Sequence, residues 1–157
     1  MKKEPLAILL GFLNNQTELI QRILQDIQLT EPDSREKVSH LGYLLHNLYC
    51  ALEDIFREVA QTFENQREDP ARYHRELLKR MHCEIPQIRP PLLTSRSYPL
   101  LNELRGFRHV FRHAYDYKLS ADRLAQLRVK ILEGWESIQR DLDTFTDFLL
   151  KKMAGSV

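Results

Sequence analysis

The chain is poor in glycine, cysteine and long apolar runs, and each shortage removes a class of protein. Only five glycines in 157 residues, few β-branched runs and abundant Leu, Arg, Glu and Gln argue against sheets and favour an all-α fold. The two cysteines, Cys50 and Cys83, stand at no metal-ligand spacing. They read as reduced thiols, and neither a disulfide framework nor a zinc site is expected. No apolar stretch approaches the length needed to span a bilayer. Met1-Lys2-Lys3 followed by Leu6 to Leu13 has the outline of a secretion leader. Pro5 interrupts it, however, no small-x-small cleavage site follows, and the apolar pattern continues through Ile27. A cytoplasmic location is the expectation.

A large excess of one charge is also missing, since the formal net charge is +1. That near-balance hides an asymmetry. Between Arg72 and Arg128 twelve Lys and Arg stand against five Asp and Glu, so this window carries +7 and the rest of the chain −6. Four of the six histidines lie inside the same window. A basic face on an otherwise acidic small domain points to a polyanion partner without naming it, although solvated helix faces are often Arg-rich as well.

Hydrophobic periodicity predicts five helices. The first spans about Pro5 to Ile27, and Thr30-Glu31-Pro32-Asp33-Ser34 then forms a turn with Asp33 or Ser34 as N-cap. The second covers about Arg35 to Asn65. The third restarts at Asp69-Pro70 and ends near Glu84. Pro86, Pro90 and Pro91 mark an irregular connection from Ile85 to Ser97. The fourth helix covers about Tyr98 to Tyr117, and the fifth runs from Ser120 and Asp122 to about Lys151. The expected architecture is one domain, residues 1–157, folded as an up-and-down bundle of four to five helices, with residues from about 152 onward disordered. The second and fifth helices, roughly 45 Å each at 1.5 Å per residue, exceed what a compact bundle of this mass requires. Their spare apolar surface suggests a homodimer.

The most informative segment lies in the fourth helix: Arg108-His109-Val110-Phe111-Arg112-His113-Ala114-Tyr115, then Asp116 and Tyr117. Histidine exchanges protons near neutral pH, and arginine is the fixed cation best shaped for phosphate. At 100° per residue, Leu100, Leu104, Phe107, Phe111 and Ala114 share the expected core face. Arg105, His109, Arg112 and Asp116 lie opposite, with Arg108 and His113 at the margins. Five residues separate Arg108 from His113, about 140° around an ideal helix. The two cannot readily converge on one atom unless the helix loosens near His113 or a second chain completes the site.

This segment resembles the R-x4-H-x-Y signature of HepT toxins, members of the HEPN superfamily of small all-helical ribonucleases. His109 fits the polar residue that commonly follows the arginine. Leu48-Tyr49-Cys50-Ala51-Leu52-Glu53-Asp54-Ile55-Phe56 is similar to the family's second-helix pattern. So is His74-Arg75-Glu76-Leu77-Leu78, with the Pro-rich connection after it. The likeness covers about Tyr43 to Leu149, in the expected helix order.

The resemblance implies a metal-independent endoribonuclease, without cofactor, that joins the ribose 2′-oxygen to the adjacent phosphate and leaves a 2′,3′-cyclic end. Such a reaction needs a base, an acid and a cation for the charged phosphorane. His113 is the expected acid/base, and Arg108 the expected phosphate and transition-state ligand. His109 would orient the arginine or carry a second proton, while Arg105 and Arg112 would hold flanking phosphates. Glu53 and Asp54 are candidates for an acidic partner of the arginine, or plain surface charges. His40, His46, His74 and His82 read as ordinary helix residues. In HepT-like toxins the matching tyrosine, here Tyr115, receives AMP from a nucleotidyltransferase antitoxin. Tyr117 is the lower-ranked acceptor. The implied partners are therefore RNA (transfer or messenger), that antitoxin, and a second copy of the chain. The alternatives are a catalytically inactive helical module that binds nucleic acid or a protein partner, and an accessory subunit of a nucleotidyltransferase.

Overall fold

Among the described residues, apolar side chains at three- and four-residue steps accompany five helices. A computed structural model describes residues 2–64, 73–114 and 119–155. The helices are α1 (Lys3–Leu29), α2 (Arg35–Phe63), α3 (Tyr73–Met81), α4 (Tyr98–Arg112) and α5 (Ala121–Gly155). The protein is all-α. Among the described residues its one sheet-like feature is an isolated bridge between Ile85 and Arg89. No helix is long and apolar enough to cross a membrane, among the described residues.

Helix α2 is the hub, packing against each of the other four. Its buried face includes Leu41, Leu45, Leu48, Tyr49, Leu52, Ile55, Phe56 and Val59. Ser34 caps its N-terminus as expected, accepting from the Lys37 backbone N–H at 3.2 Å. Helix α1 buries Leu6, Leu9, Leu13, Ile20, Ile23, Leu24 and Ile27. Two carbonyls of its last turn are met from α5, where Arg128 donates to Ile27 O at 3.0 Å, beside the Thr30 N–H, and to Gln28 O at 2.7 Å. Leu124, Leu127, Ile131, Ile138, Leu142, Phe145 and Leu149 form the buried stripe of α5.

Three boundaries differ from the sequence reading. Helix α3 ends at Met81, because the chain turns there to bring Leu92 and Leu93 N–H onto Met81 O. Helix α4 ends at Arg112, not at Tyr117; residues 115–118 lie outside the described part. Helix α5 continues through Gly155, so residues 152–155 expected to be disordered are helical, the partly buried Met153 packing on the core.

The segment between α3 and α4 is held from below by Arg89. Its side chain is fully buried and donates to Cys83 O, Pro90 O, Arg80 O and Glu64 Oε1, the last at 2.7 Å. Entry into α4 is fixed from α5. Asp141 accepts from Thr94 N–H at 2.9 Å and from its hydroxyl at 3.0 Å, and Ser97 Oγ lies 2.8 Å from Ser137 Oγ. The motif helix thus starts from a position pinned by buried polar contacts.

Candidate functional site

The face of α4 turned to the core carries Leu101 and Leu104, both fully buried, and the half-buried Leu100, Phe107, Phe111 and Ala114. Leu101 was missing from the expected core face. The helix sits close to its neighbours at two glycines. A Cβ on Gly42 of α2 would meet Leu119 Cδ1 at 2.9 Å and the Phe111 ring at 3.2 Å. One on Gly134 of α5 would meet Leu100 Cδ2 at 2.6 Å.

The polar side of α4 meets α3 across a cleft of about 700 Å³ lined by His74, Arg75, Glu76, Arg105, Gly106, Arg108 and His109. Three of the five basic residues expected at a site are therefore brought together. Arg112 and His113 lie outside that lining, toward the end of the helix. Arg105 is steadied by Asn102 Oδ1, which accepts from its Nε at 3.1 Å and its Nη2 at 3.0 Å.

The helix does loosen at His113, whose φ of −109° and ψ of 13° leave the α region. Its backbone N–H is shared between Phe111 O and Val110 O. Its ring turns back along α4, placing Nδ1 2.9 Å from His109 O and the two imidazoles 4.6 Å apart. A carbonyl only accepts, so Nδ1 of His113 carries a hydrogen and Nε2 is the nitrogen that exchanges protons. His113 thus lies one side chain away from the cleft. Tyr115, with Asp116 and Tyr117, falls outside the described residues.

Arg108 is half-buried, and its Nε is buried with no hydrogen-bond partner among the described residues. Its charge is felt on α2. The His46 imidazole is held below its ordinary pKa by burial, then by the positive charges of Arg108 and Arg112. That ring lies 4.9 Å from Phe111 and its Nε2 is 3.6 Å from Cys50 Sγ. The Tyr49 phenol is pushed far up, first by burial and then by the negative charge of Glu53, and stays protonated.

The acidic pair on α2 does not serve Arg108. Glu53 Oε1 lies 3.3 Å from Arg57 Nη2, and Asp54 Oδ1 lies 3.3 Å from Arg57 Nη1. Glu53 also accepts from His74 Nδ1, at 2.9 and 2.8 Å to its two oxygens. Its side chain is 2% exposed, so it is no surface charge. Asp54, about half exposed, is one. His74 is accordingly more than an ordinary helix residue: it joins a buried carboxylate to the cleft wall. The signal was present in the sequence, since Glu53 falls on the Tyr49–Phe56 apolar stripe, where a lone acid requires a cationic or N–H partner. Among the described residues no group of three or more His, Cys, Asp or Glu is arranged to hold a metal ion.

The five helices of the described residues, the fourth lining a cationic cleft with Arg and His, agree with a HEPN-like helical bundle. The chain belongs to the HepT-like protein family, whose model matches residues 40–149. The match starts three residues before Tyr43 and ends at Leu149, nearly the span of the motif resemblance. No curated protein and no solved structure matches the chain.

Proposed function

We propose that this protein is a metal-independent endoribonuclease toxin, active as a homodimer and restrained by a nucleotidyltransferase antitoxin that attaches AMP to Tyr115. The observation that carries the reading is the convergence on one cleft of Arg108 and His109, from the R-x4-H-x-Y segment of a HepT-like chain, with Arg105 one turn before them. Arg108 lacks a carboxylate partner among the described ion pairs, so its charge is left for a substrate phosphate and for the phosphorane that follows. His113 offers Nε2 as the proton carrier to the departing 5′-oxygen. Arg112 and Arg105 hold flanking phosphates. RNA is the substrate because the attacking 2′-hydroxyl is absent from DNA. Single-stranded loops and ends, of transfer or messenger RNA, suit a basic cleft of this kind. AMP on Tyr115, two residues past His113 in the sequence, would add bulk and negative charge to the motif segment and so oppose RNA binding.

Purified protein given RNA in EDTA should cleave it, leave 2′,3′-cyclic phosphate ends and spare DNA. Arg108→Ala and His113→Ala should each lower the rate by about 100-fold or more. Cleavage that requires added metal removes the mechanism. Intact mass after co-expression with the antitoxin should show AMP-sized additions that Tyr115→Phe abolishes; an unchanged mass counts against the tyrosine assignment. A binding module without catalysis is the second reading, favoured by the position of His113 outside the cleft lining. Equal RNA retention by wild type and His113→Ala, with cleavage by neither, identifies it.

A further inference from the structure

The wall of the cleft facing Arg108 is α3, and its one histidine is held in an arrangement suited to proton transfer. His74 directs Nδ1 at the carboxylate of Glu53, 2.8 Å away and 2% exposed. That carboxylate is itself held by Arg57 Nη2, while Arg57 Nε donates to the Tyr73 hydroxyl at 2.6 Å and Nη1 pairs with Asp54. The Glu53 carboxylate only accepts, so Nδ1 keeps its hydrogen whether the imidazole is neutral or charged. Proton exchange is thereby confined to Nε2, on the far side of a ring that lines the cleft and is one-third exposed.

We propose that His74 is the general base of the reaction, and that Glu53 is its positioning residue. This rests on the ribonuclease reading above, and adds to it the group that activates the attacking hydroxyl. Nε2 of neutral His74 takes the 2′-OH proton as the 2′-oxygen forms its bond to phosphorus. The P–O5′ bond then breaks, and the 5′-oxygen takes a proton from Nε2 of protonated His113. The products are a 2′,3′-cyclic phosphate and a 5′-hydroxyl, with one proton moved from the 2′-oxygen to His74 and one from His113 to the 5′-oxygen. Arg108 and Arg105, on the opposite wall, bear the phosphate charge while Glu53 stabilises the imidazolium that forms. In this arrangement the cleft of one chain supplies base and cation, and His113, beyond its lining, supplies the acid.

The structural alternative is that His74 merely fastens α3 to α2, and a leaving-group comparison separates the two. On labelled single-stranded RNA in EDTA, His74→Gln should lower kcat about 100-fold or more with RNA affinity within roughly threefold of wild type. Glu53→Gln should lower it by about tenfold or more. On uridine 3′-(4-nitrophenyl phosphate), whose leaving group departs without a proton, His113→Ala should recover most of its rate and His74→Gln should not. The reverse pattern overturns the base assignment. A His74→Gln protein that cleaves at the wild-type rate while Arg108→Ala does not removes His74 from the chemistry and leaves the ribonuclease reading intact. Failure of the wild type to cleave removes both. A measurement on the unaltered chain needs no variant to fold. Imidazole ¹⁵N spectra should show neutral His74 as the Nδ1–H tautomer, and the Nε2–H tautomer would overturn the proposal.

Discussion

His46 reports on the charge of the site from behind it. Burial and the fields of Arg108 and Arg112 lower its pKa in the fold, while the unfolded chain takes up a proton near pH 6.5. As pH falls through 6.5 the unfolded state binds more protons than the native one, so stability drops until the native ring also titrates. Resistance to thermal unfolding should therefore fall as pH is lowered from 7 to the native midpoint, and His46→Phe should flatten that part of the curve. Following the His46 ring by NMR gives the sharper reading: its midpoint lies below 6.5, and Arg108→Ala raises it. An unmoved midpoint would separate Arg108 from α2. Arg89 makes a different case. Replacing it by Met leaves the Cys83 and Pro90 carbonyls unmet, since Arg80 O keeps the Cys83 N–H, and removes one of the cations held by Glu64, at a cost of roughly 3 kcal/mol, measurable as a lowered urea midpoint. Two buried charged groups, Arg89 and Glu53, differ in how legible they were in the sequence. Arg89 sits in a Pro-rich connection where nothing periodic marks it, whereas Glu53 interrupts an apolar stripe and was there to be noticed.

At the level of elements, the helices were legible because apolar spacing and turn chemistry agree. The Ser34 cap and the α5 stripe follow directly from the residues. The ends of α3 and α4 were not legible, because tertiary contacts decide them. Met81 O is taken by Leu92 and Leu93 N–H, and α4 gives way at His113 after the Phe111 ring has seated against Gly42. That seat makes Gly42→Ala informative. Helix propensity favours Ala by about 1 kcal/mol, and crowding of Leu119 and Phe111 costs a similar amount or somewhat more. Stability should stay within about 1 kcal/mol of wild type, while RNA cleavage falls because Phe111 lies one turn from Arg108. Gly134→Ala touches only the tip of Leu100, so its stability and activity should both stay near wild type.

For the whole molecule, the described residues of the +7 window form α3, α4, their connection and the start of α5, and Arg75, Arg105 and Arg108 among them line the cleft. RNA binding should weaken with salt, and Arg105→Ala or Arg112→Ala should each flatten the logarithmic salt slope by roughly 0.7. A slope that neither substitution alters would place the phosphates elsewhere. The two-chain question has its own test: mixing Arg108→Ala and His113→Ala subunits restores activity only where the site is shared across an interface. The fold class and the motif helix were legible in the sequence. The opposing wall was not, because His74 and Glu53 are 21 positions apart and only their 2.8 Å contact joins them.

One feature of the architecture bears on the order in which the protein comes apart. Helix α2 touches every other helix, so no single helix can leave without exposing part of it, and α2 cannot leave without dissolving the core. Its backbone amides from about Leu41 to Ala60 should be the slowest in the chain to exchange with deuterium, opening only with global unfolding. Glu53, Tyr49 and His46 ride on that segment. The back of the cleft is thus built on the most persistent part of the molecule, and its chemical groups keep their places through the partial openings that loosen the helix ends around them.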